Sequence, residues 1–432
     1  MYNTSWWAVL ASVVLAVAPV WGQGLPDNQH SYDPTSPQRL GQSGMTFLQA
    51  GGSARAEALG GAFTAVQGDP SSVFYNVAGM TGLSGITAYV NQTDWFVDMA
   101  LSHFAVAMPL GSMRLGISFL SMDYGEIVGT QLLQGADILH PDAVAITGEI
   151  DPAAWAAGAF LAVPLTDRFS FGVQVKYAVQ DFGAGPNFNF REGSKGEWVR
   201  EDMQDPDSPY TFTDLNVHAW AFDLGSQYDT GFRNLLISMS MQNFAKPKEF
   251  FEGGLEFNLP LTYRIGLSTD AIEMLTGQPS PTQTANLYLE AVDGRDVLLD
   301  AAFGIEYLID MSAMSPGVAV ALRGGRRAAA DKVGHMQQIS GTVFMEQVFE
   351  VDHTEARRDA DGNIMRDGQG NPTNLPYYKP VIDDKGYFED RLSLGAGLTL
   401  PLGNIKVGID YSYSDYGPEF TSHMWGLSLM MR

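Results

Sequence analysis

The sequence predicts an all-β fold, a transmembrane antiparallel β-barrel of about fourteen strands with an N-terminal plug in its lumen. Three observations predict it. Long segments alternate apolar and polar residues with a period of two, over 10 to 13 residues at a stretch. Soluble strands usually stop at about 5 to 6 residues, whereas a tilted strand needs about 9 to 11 to cross a bilayer. Short Pro- or Gly-bearing turns take turns with long acidic loops along the chain, as in barrels whose two ends face different compartments. Beyond the first residues, no stretch approaches the roughly 18 to 20 consecutive apolar residues of a membrane helix, so strands would have to make the crossing.

Taken in order, Trp6 to Val17 is an apolar run without charge, and Val20-Trp21-Gly22 offers small residues around a cleavage point before Gln23. This predicts a signal peptide over 1–22, cleaved on export to the outer membrane, although no Lys or Arg precedes the run. Residues 23–84 follow without long alternating strands, and residues 85–432 carry the barrel. In the first of these, Ala54 to Leu59 favours a short helix that Gly60-Gly61 stops. Gly68-Asp69-Pro70 is turn chemistry, with Asp69 placed to cap what comes next. A stretch of this kind ahead of a barrel predicts a plug folded into the lumen.

Strands are expected near 85–95, 98–108, 112–124, 153–164, 168–182, 216–228, 233–244, 259–270, 284–292, 297–309, 315–325, 389–400, 403–414 and 420–432. Fourteen is an even number, as closed bacterial barrels generally have. Phe169, Phe171, Val173, Val175 and Tyr177 alternate with Ser170, Gly172, Gln174 and Lys176; Ile405, Val407, Ile409 and Tyr411 alternate with Lys406, Gly408 and Asp410. The short turns include Pro109-Leu110-Gly111-Ser112, Pro164-Leu165-Thr166-Asp167 and Pro401-Leu402-Gly403-Asn404. The long outer loops are 125–152, 183–215, 245–258 and 326–388. The connection 271–283 is long on the short-turn side, and the β-rich stretch 339–350 would add strands if the count were wrong.

On each strand one face goes to lipid and the other to the lumen. Reading the apolar faces as lipid contacts puts Lys176, Arg264, Glu290, Glu306 and Asp410 in the lumen. Gly116, Gly158, Gly172, Gly266, Gly304, Gly395, Gly397 and Gly408 recur on that same face and leave room for something inside.

Composition narrows the function. With 25 Lys plus Arg against 49 Asp plus Glu the net charge is −24, which would repel nucleic acid. Zero Cys excludes disulfides, thiol catalysis and Cys-ligated metals. Aromatic residues at 11% argue against disorder. Asp359, Asp361 and Asn363 have the odd spacing of a calcium loop, but Ile364 and Gly370 stand where its Gly and Glu should be, so no metal site is assigned. His103 and His218 fall inside strands, as pore-lining or packed imidazoles. No nucleophile, phosphate-loop or zinc-protease motif is present, so neither catalytic residues nor cofactors are expected.

Two pieces of the N-terminal segment carry a resemblance: Ala58-Leu59-Gly60-Gly61-Ala62, then Asp69-Pro70-Ser71-Ser72-Val73-Phe74-Tyr75-Asn76-Val77-Ala78-Gly79. They resemble the N-terminal signature of the PorV/PorQ family of type IX secretion, itself similar to the FadL family of hydrophobic-compound transporters. Val77 departs from the pattern, which has Pro there. The resemblance assigns Asp69, Ser71, Ser72, Phe74, Asn76, Ala78 and Gly79 to the plug. It implies an outer-membrane barrel, embedded in outer-membrane lipid, that meets a secretion translocon and receives cargo proteins with C-terminal signal domains. The alternative it implies is a FadL-like transporter that takes up long-chain fatty acids or other hydrophobic ligands. A transporter should show an apolar pocket bridging plug and wall, and a secretion partner an exposed patch suited to protein contacts.

Overall fold

The computed structural model describes residues 43–95, 99–125, 127–132, 144–150, 152–186, 190–192, 198–200, 212–249, 256–295, 300–313, 315–329, 349–356, 374–380, 391–415 and 421–431. The expected signal peptide over 1–22, the calcium-like Asp359, Asp361 and Asn363, and the acidic residues 201–210 lie outside the described residues.

Fourteen antiparallel strands close into one barrel. They are β1 Ile86–Asp94, β2 Ala100–Leu110, β3 Met113–Asp123, β4 Ala153–Pro164, β5 Phe169–Pro186, β6 Phe212–Asp229 and β7 Leu236–Phe244. The second half comprises β8 Thr262–Asp270, β9 Gln283–Gly294, β10 Asp300–Asp310, β11 Ala319–Ala329, β12 Arg391–Leu402, β13 Ile405–Asp415 and β14 Thr421–Met431. Each pairs with its sequence neighbour, and β1 closes on β14 from Ile86↔Met431 to Asp94↔His423. Closure leaves no unpaired edge, the requirement a bilayer sets on any sheet that crosses it.

The strand positions follow the alternation closely, with informative differences at the ends. β5 continues to Pro186 and β6 starts at Phe212, so both extend well into the expected loop 183–215. The pairing Phe212↔Pro186 carries this hairpin past the turn-prone residues Gly183 and Gly185. β11 spans Ala319–Ala329 rather than 315–325, because Pro316 and Gly317 form the turn that precedes it. In the stretch 339–350, the described residues Phe349 and Glu350 open a strand, Phe349–Ala356, that pairs with Asn374–Pro380 as a separate hairpin outside the barrel. The long connection 271–283 contains a short helix, Ala271–Thr276, capped by Asp270 Oδ1, which accepts from Ile272 N at 3.0 Å, and stopped by Gly277 at φ 77°.

The outer face is apolar and exposed. Val90, Phe104, Ile117, Phe119, Trp220, Ile265, Leu289, Phe303, Leu394 and Leu427 all point away from the lumen. Towards the long-loop end aromatic rings run from strand to strand: Phe119 lies 6.3 Å from Trp155, Tyr177 5.0 Å from Trp220, and Tyr411 4.6 Å from Trp425. An apolar band bordered by aromatics is the outer surface of an outer-membrane barrel.

Candidate functional site: the lumen and the segment inside it

Residues 43–85 lie against the inner face of the barrel. Gly44 N donates to Asn258 O at 3.0 Å in the β7–β8 connection, at the long-loop end, and the chain reaches Gly85 at the short-turn end, where β1 starts. Local chemistry sets its shape. Ser53 caps α1, Ala54–Ala58, by accepting from Ala56 N, and Gly60 and Gly61 end it with φ of 66° and 85°. Asp69 caps the 3-10 turn Pro70–Phe74 and Asn76 caps the 3-10 turn Val77–Gly82.

Glycines on the wall admit the segment. A Cβ on Gly325 would meet Gly60 N and Leu59 C at 2.1 Å, one on Gly172 would meet Ala78 N at 2.6 Å, and one on Gly395 would meet Ala58 Cβ at 2.4 Å. The backbone of the segment therefore touches the backbone of the wall on several strands. Polar side chains then fix it. Glu290 Oε2 accepts from Phe63 N and Thr64 N at 2.8 Å each, and Arg264 Nη1 holds its other oxygen at 2.8 Å. Gln227 Nε2 donates to the carbonyls of Thr64 and Val66.

Glu306 is the hub of the strongest cluster. It is fully buried; Arg55 Nη2 meets its Oε1 at 2.7 Å, and Arg323 Nε meets its Oε2 at 2.7 Å. Arg323 continues to Asp410 at 2.6 Å, and Arg55 to Asp69 at 2.9 Å. A buried charge is tolerable only when paired and hydrogen-bonded, and here two arginines and three carboxylates meet that condition together. Burial works against the charge on Arg55, yet Glu306 and Asp69 hold its guanidinium above its ordinary value. Burial likewise pushes up the hydroxyl of Tyr75, which accepts from Gly52 N at 3.2 Å.

The residues singled out by the sequence fall as follows. Arg264, Glu290, Glu306 and Asp410 face the segment on β8, β9, β10 and β13, while Lys176 on β5 pairs with Asp223 on β6 at 2.8 Å. Asp69, Ser71, Ser72, Ala78 and Gly79 are buried in the segment; Ser71 Oγ donates to Asp69 Oδ1 at 2.5 Å, and a Cβ on Gly79 would meet Val66 O at 2.5 Å. Phe74 sits edge-on to His103, centroids 4.9 Å apart. Asn76 ties three places together: its Oδ1 accepts from Ala78 N at 3.1 Å, and its Nδ2 donates to Thr64 O at 2.9 Å and Ser226 O at 3.1 Å. Asn76→Ala is expected to cost about 2 kcal/mol, from one lost cap and two lost hydrogen bonds to backbone carbonyls, although Thr64 O keeps Gln227. The check is the rate of protease cutting within 43–85 in the solubilised protein, which should rise while barrel strands stay protected.

Two expectations need correction. His218 points outward beside Tyr177, ring centroids 6.0 Å apart, because β6 turns Val217 and Ala219 inward. The rule that apolar faces meet lipid also fails in the outer halves of β2, β3, β4 and β6. There Leu101, Leu120, Met122, Ala154, Ala156, Val217 and Ala219 face inward and pack with Met45, Phe47 and Leu48 of the segment, while Ser102 faces out. Sequence reasoning missed this inner apolar wall. The signal was present, since Leu120 and Met122 share a face with Gly116 and Ser118, and strand geometry keeps that face inward. The lumen is thus two-sided, ionic along β8–β13 and apolar along the outer halves of β2–β6. Between the apolar wall and the segment lies a cavity of about 30 Å³, bordered by Leu48, Phe74, His103, Leu120, Lys176 and Asp223 among others.

No protein-family model matches the sequence, and no curated protein is significantly similar to it. Solved structures do match. The CymD monoaromatic hydrocarbon channel is 8% identical with a TM-score of 0.50, over 88% of this chain and 96% of that one. A Pseudomonas aeruginosa FadL homologue is 9% identical with a TM-score of 0.46, over 88% and 98% of the two chains. The Pseudomonas putida toluene transporter TodX is 9% identical with a TM-score of 0.46, over 88% and 97%. At this identity the likeness to CymD shows a shared fold: a closed fourteen-strand barrel of outer-membrane type.

Proposed function

We propose that this chain is an outer-membrane transport barrel for hydrophobic small molecules, with residues 43–85 as the plug of its lumen. The observation that carries the reading is the inward-facing apolar wall of Leu101, Leu120, Met122, Ala154 and Ala156, which runs from the long-loop end to the cavity beside the segment. A lumen built for water and ions has no use for such a wall, whereas a hydrophobic solute needs an apolar track marked by few polar groups. CymD, described as a monoaromatic hydrocarbon channel, has the same fold, which is in keeping with this role.

The PorV/PorQ-like secretion role rests on the Ala58–Ala62 and Asp69–Gly79 motif. In the structure both pieces seat the segment: Gly60 lies against the backbone of Arg326, and Asp69 and Asn76 cap successive turns. Any plugged barrel makes that demand, so the motif fits both roles equally. The contacts that would distinguish secretion belong to the outer loops, most of which fall outside the described residues.

The test is uptake of a radiolabelled apolar solute by cells that make the protein and lack other channels of this kind. Uptake should rise several-fold over cells without it. Leu120→Asn, which puts an amide on the apolar wall at a cost of about 1–3 kcal/mol to a passing apolar group, should reduce that gain about tenfold. Heat-modifiable migration of the variant on a gel checks that its barrel is intact. No gain from the wild-type protein would refute the transport reading.

A further inference from the structure

We propose that the cavity beside His103 binds the polar end of the transported molecule, and that this end is a neutral hydroxyl or carbonyl rather than a carboxylate. The proposal rests on the transport reading above and names its substrate class: apolar molecules that carry one neutral hydrogen-bonding group.

The argument starts from hydrogen-bonding capacity. Asp223 accepts from Lys176 Nζ at 2.8 Å and from Asn243 N at 2.8 Å, and Lys176 also reaches Asn243 Oδ1. Gln174, with its amide nitrogen turned to Asp223 Oδ2 at 3.0 Å and Val73 O at 3.3 Å, accepts from Ser118 Oγ at 2.5 Å. Gln242 Nε2 donates to Phe74 O at 2.8 Å, and its oxygen accepts from Arg264 Nε at 3.2 Å. His103 is the exception. It is 1% exposed and lines the cavity, and neither Nδ1 nor Nε2 makes a hydrogen bond of good geometry among the described residues, the backbone of Ala50 being close enough only for a weak contact with the ring. A buried polar group without a partner is costly, and a neutral imidazole offers one donor and one acceptor.

Charge then selects the class. The cavity's two charged side chains, Lys176 and Asp223, are spent on each other. A carboxylate entering here would have to break that buried pair, while a hydroxyl or carbonyl needs only what His103 has unused. Size agrees, since about 30 Å³ admits about two water-sized groups, enough for a head but not for a body. The body would lie along Leu48, Leu120 and Ala156, where the apolar wall begins. Met45, Phe47 and Leu48 fill that wall now, and Met45 holds a left-handed φ of 56°, a conformation costly for a residue with a side chain. That stretch is the one placed to give way.

The test measures retention of dodecanol, dodecane and dodecanoate, each radiolabelled, by the full chain in lipid nanodiscs, against empty nanodiscs. Dodecanol should bind about tenfold more tightly than either of the others, the worth of one net hydrogen bond. His103→Phe keeps a ring against Phe74 and removes two unmet nitrogens, so the barrel should stay heat-modifiable while dodecanol falls to the level of dodecane. Equal binding of dodecanol and dodecane by the wild type would overturn the head-group assignment and leave transport standing. Tightest binding of dodecanoate would overturn the charge argument. A preference for dodecanol that survives in His103→Phe would remove the imidazole from the site, and retention of none of the three would overturn the transport reading as well.

Discussion

Glu306→Ala is expected to cost about 3–5 kcal/mol, the loss typical when one partner of a buried ion pair is removed and the other is stranded. The loss here takes one carboxylate from two partners, Arg55 on the segment and Arg323 on the wall, which grip it at 2.7 Å each. Arg323 keeps Asp410 and Arg55 keeps Asp69, so the variant should still close its barrel. The segment, not the wall, is the part expected to loosen. The measurements are protease sensitivity within 43–85 and ion conductance in planar bilayers, and both should rise. Glu306→Gln, which keeps the shape and loses the charge, should follow Ala more closely than wild type. Unchanged protease sensitivity in both variants would mean that the ionic hub does not hold the segment.

Gly325→Val should act on the same contact from the steric side. A Cβ at Gly325 would come within 2.1 Å of Gly60 N and of Leu59 C, and both are backbone atoms that cannot swing aside. Overpacking usually costs about 1–3 kcal/mol, and a clash of backbone on both sides belongs at the top of that range. The adjacent Gly324 is an internal control. It faces outward, where an added Cβ would meet only Leu394 Cδ2 at 3.7 Å, so Gly324→Ala should leave protease sensitivity and conductance near wild type. If the two substitutions behave alike, the close seating of the segment on β11 does not matter for closure.

How far these features could be read from the sequence depended on the range of the interaction. Alternation is local, so the strand beginning at Phe169, as far as about residue 182, and the strand Ile405–Asp415 were legible wherever a polar residue faced every apolar one. Turn chemistry is local too, which is why Asp69 as a cap and Gly60-Gly61 as a stop could be read directly. The apolar inner wall was not legible in this way. Where Leu120 and Met122 face inward and Phe119 faces out, both faces are apolar, and only parity with Gly116 and Ser118 earlier in the strand says which is which. Ion pairs posed the harder problem. Glu306 and Asp410 stood out as charges on a strand, but that Arg323 joins them, and that Arg55 arrives from 251 residues away, follows only from register and from where the segment lies. His103 was legible as a strand imidazole; that its nitrogens lack a hydrogen bond of good geometry among the described residues belongs to the packed structure alone.

The most direct test of transport against secretion is affinity purification of the tagged protein from solubilised outer membrane, with co-purifying proteins and small hydrophobic molecules identified together by mass spectrometry. The account predicts a barrel that carries a near-stoichiometric hydrophobic molecule and no large protein partner. Recovery of a secretion translocon, or of cargo with C-terminal signal domains, and no bound hydrophobic molecule would contradict it.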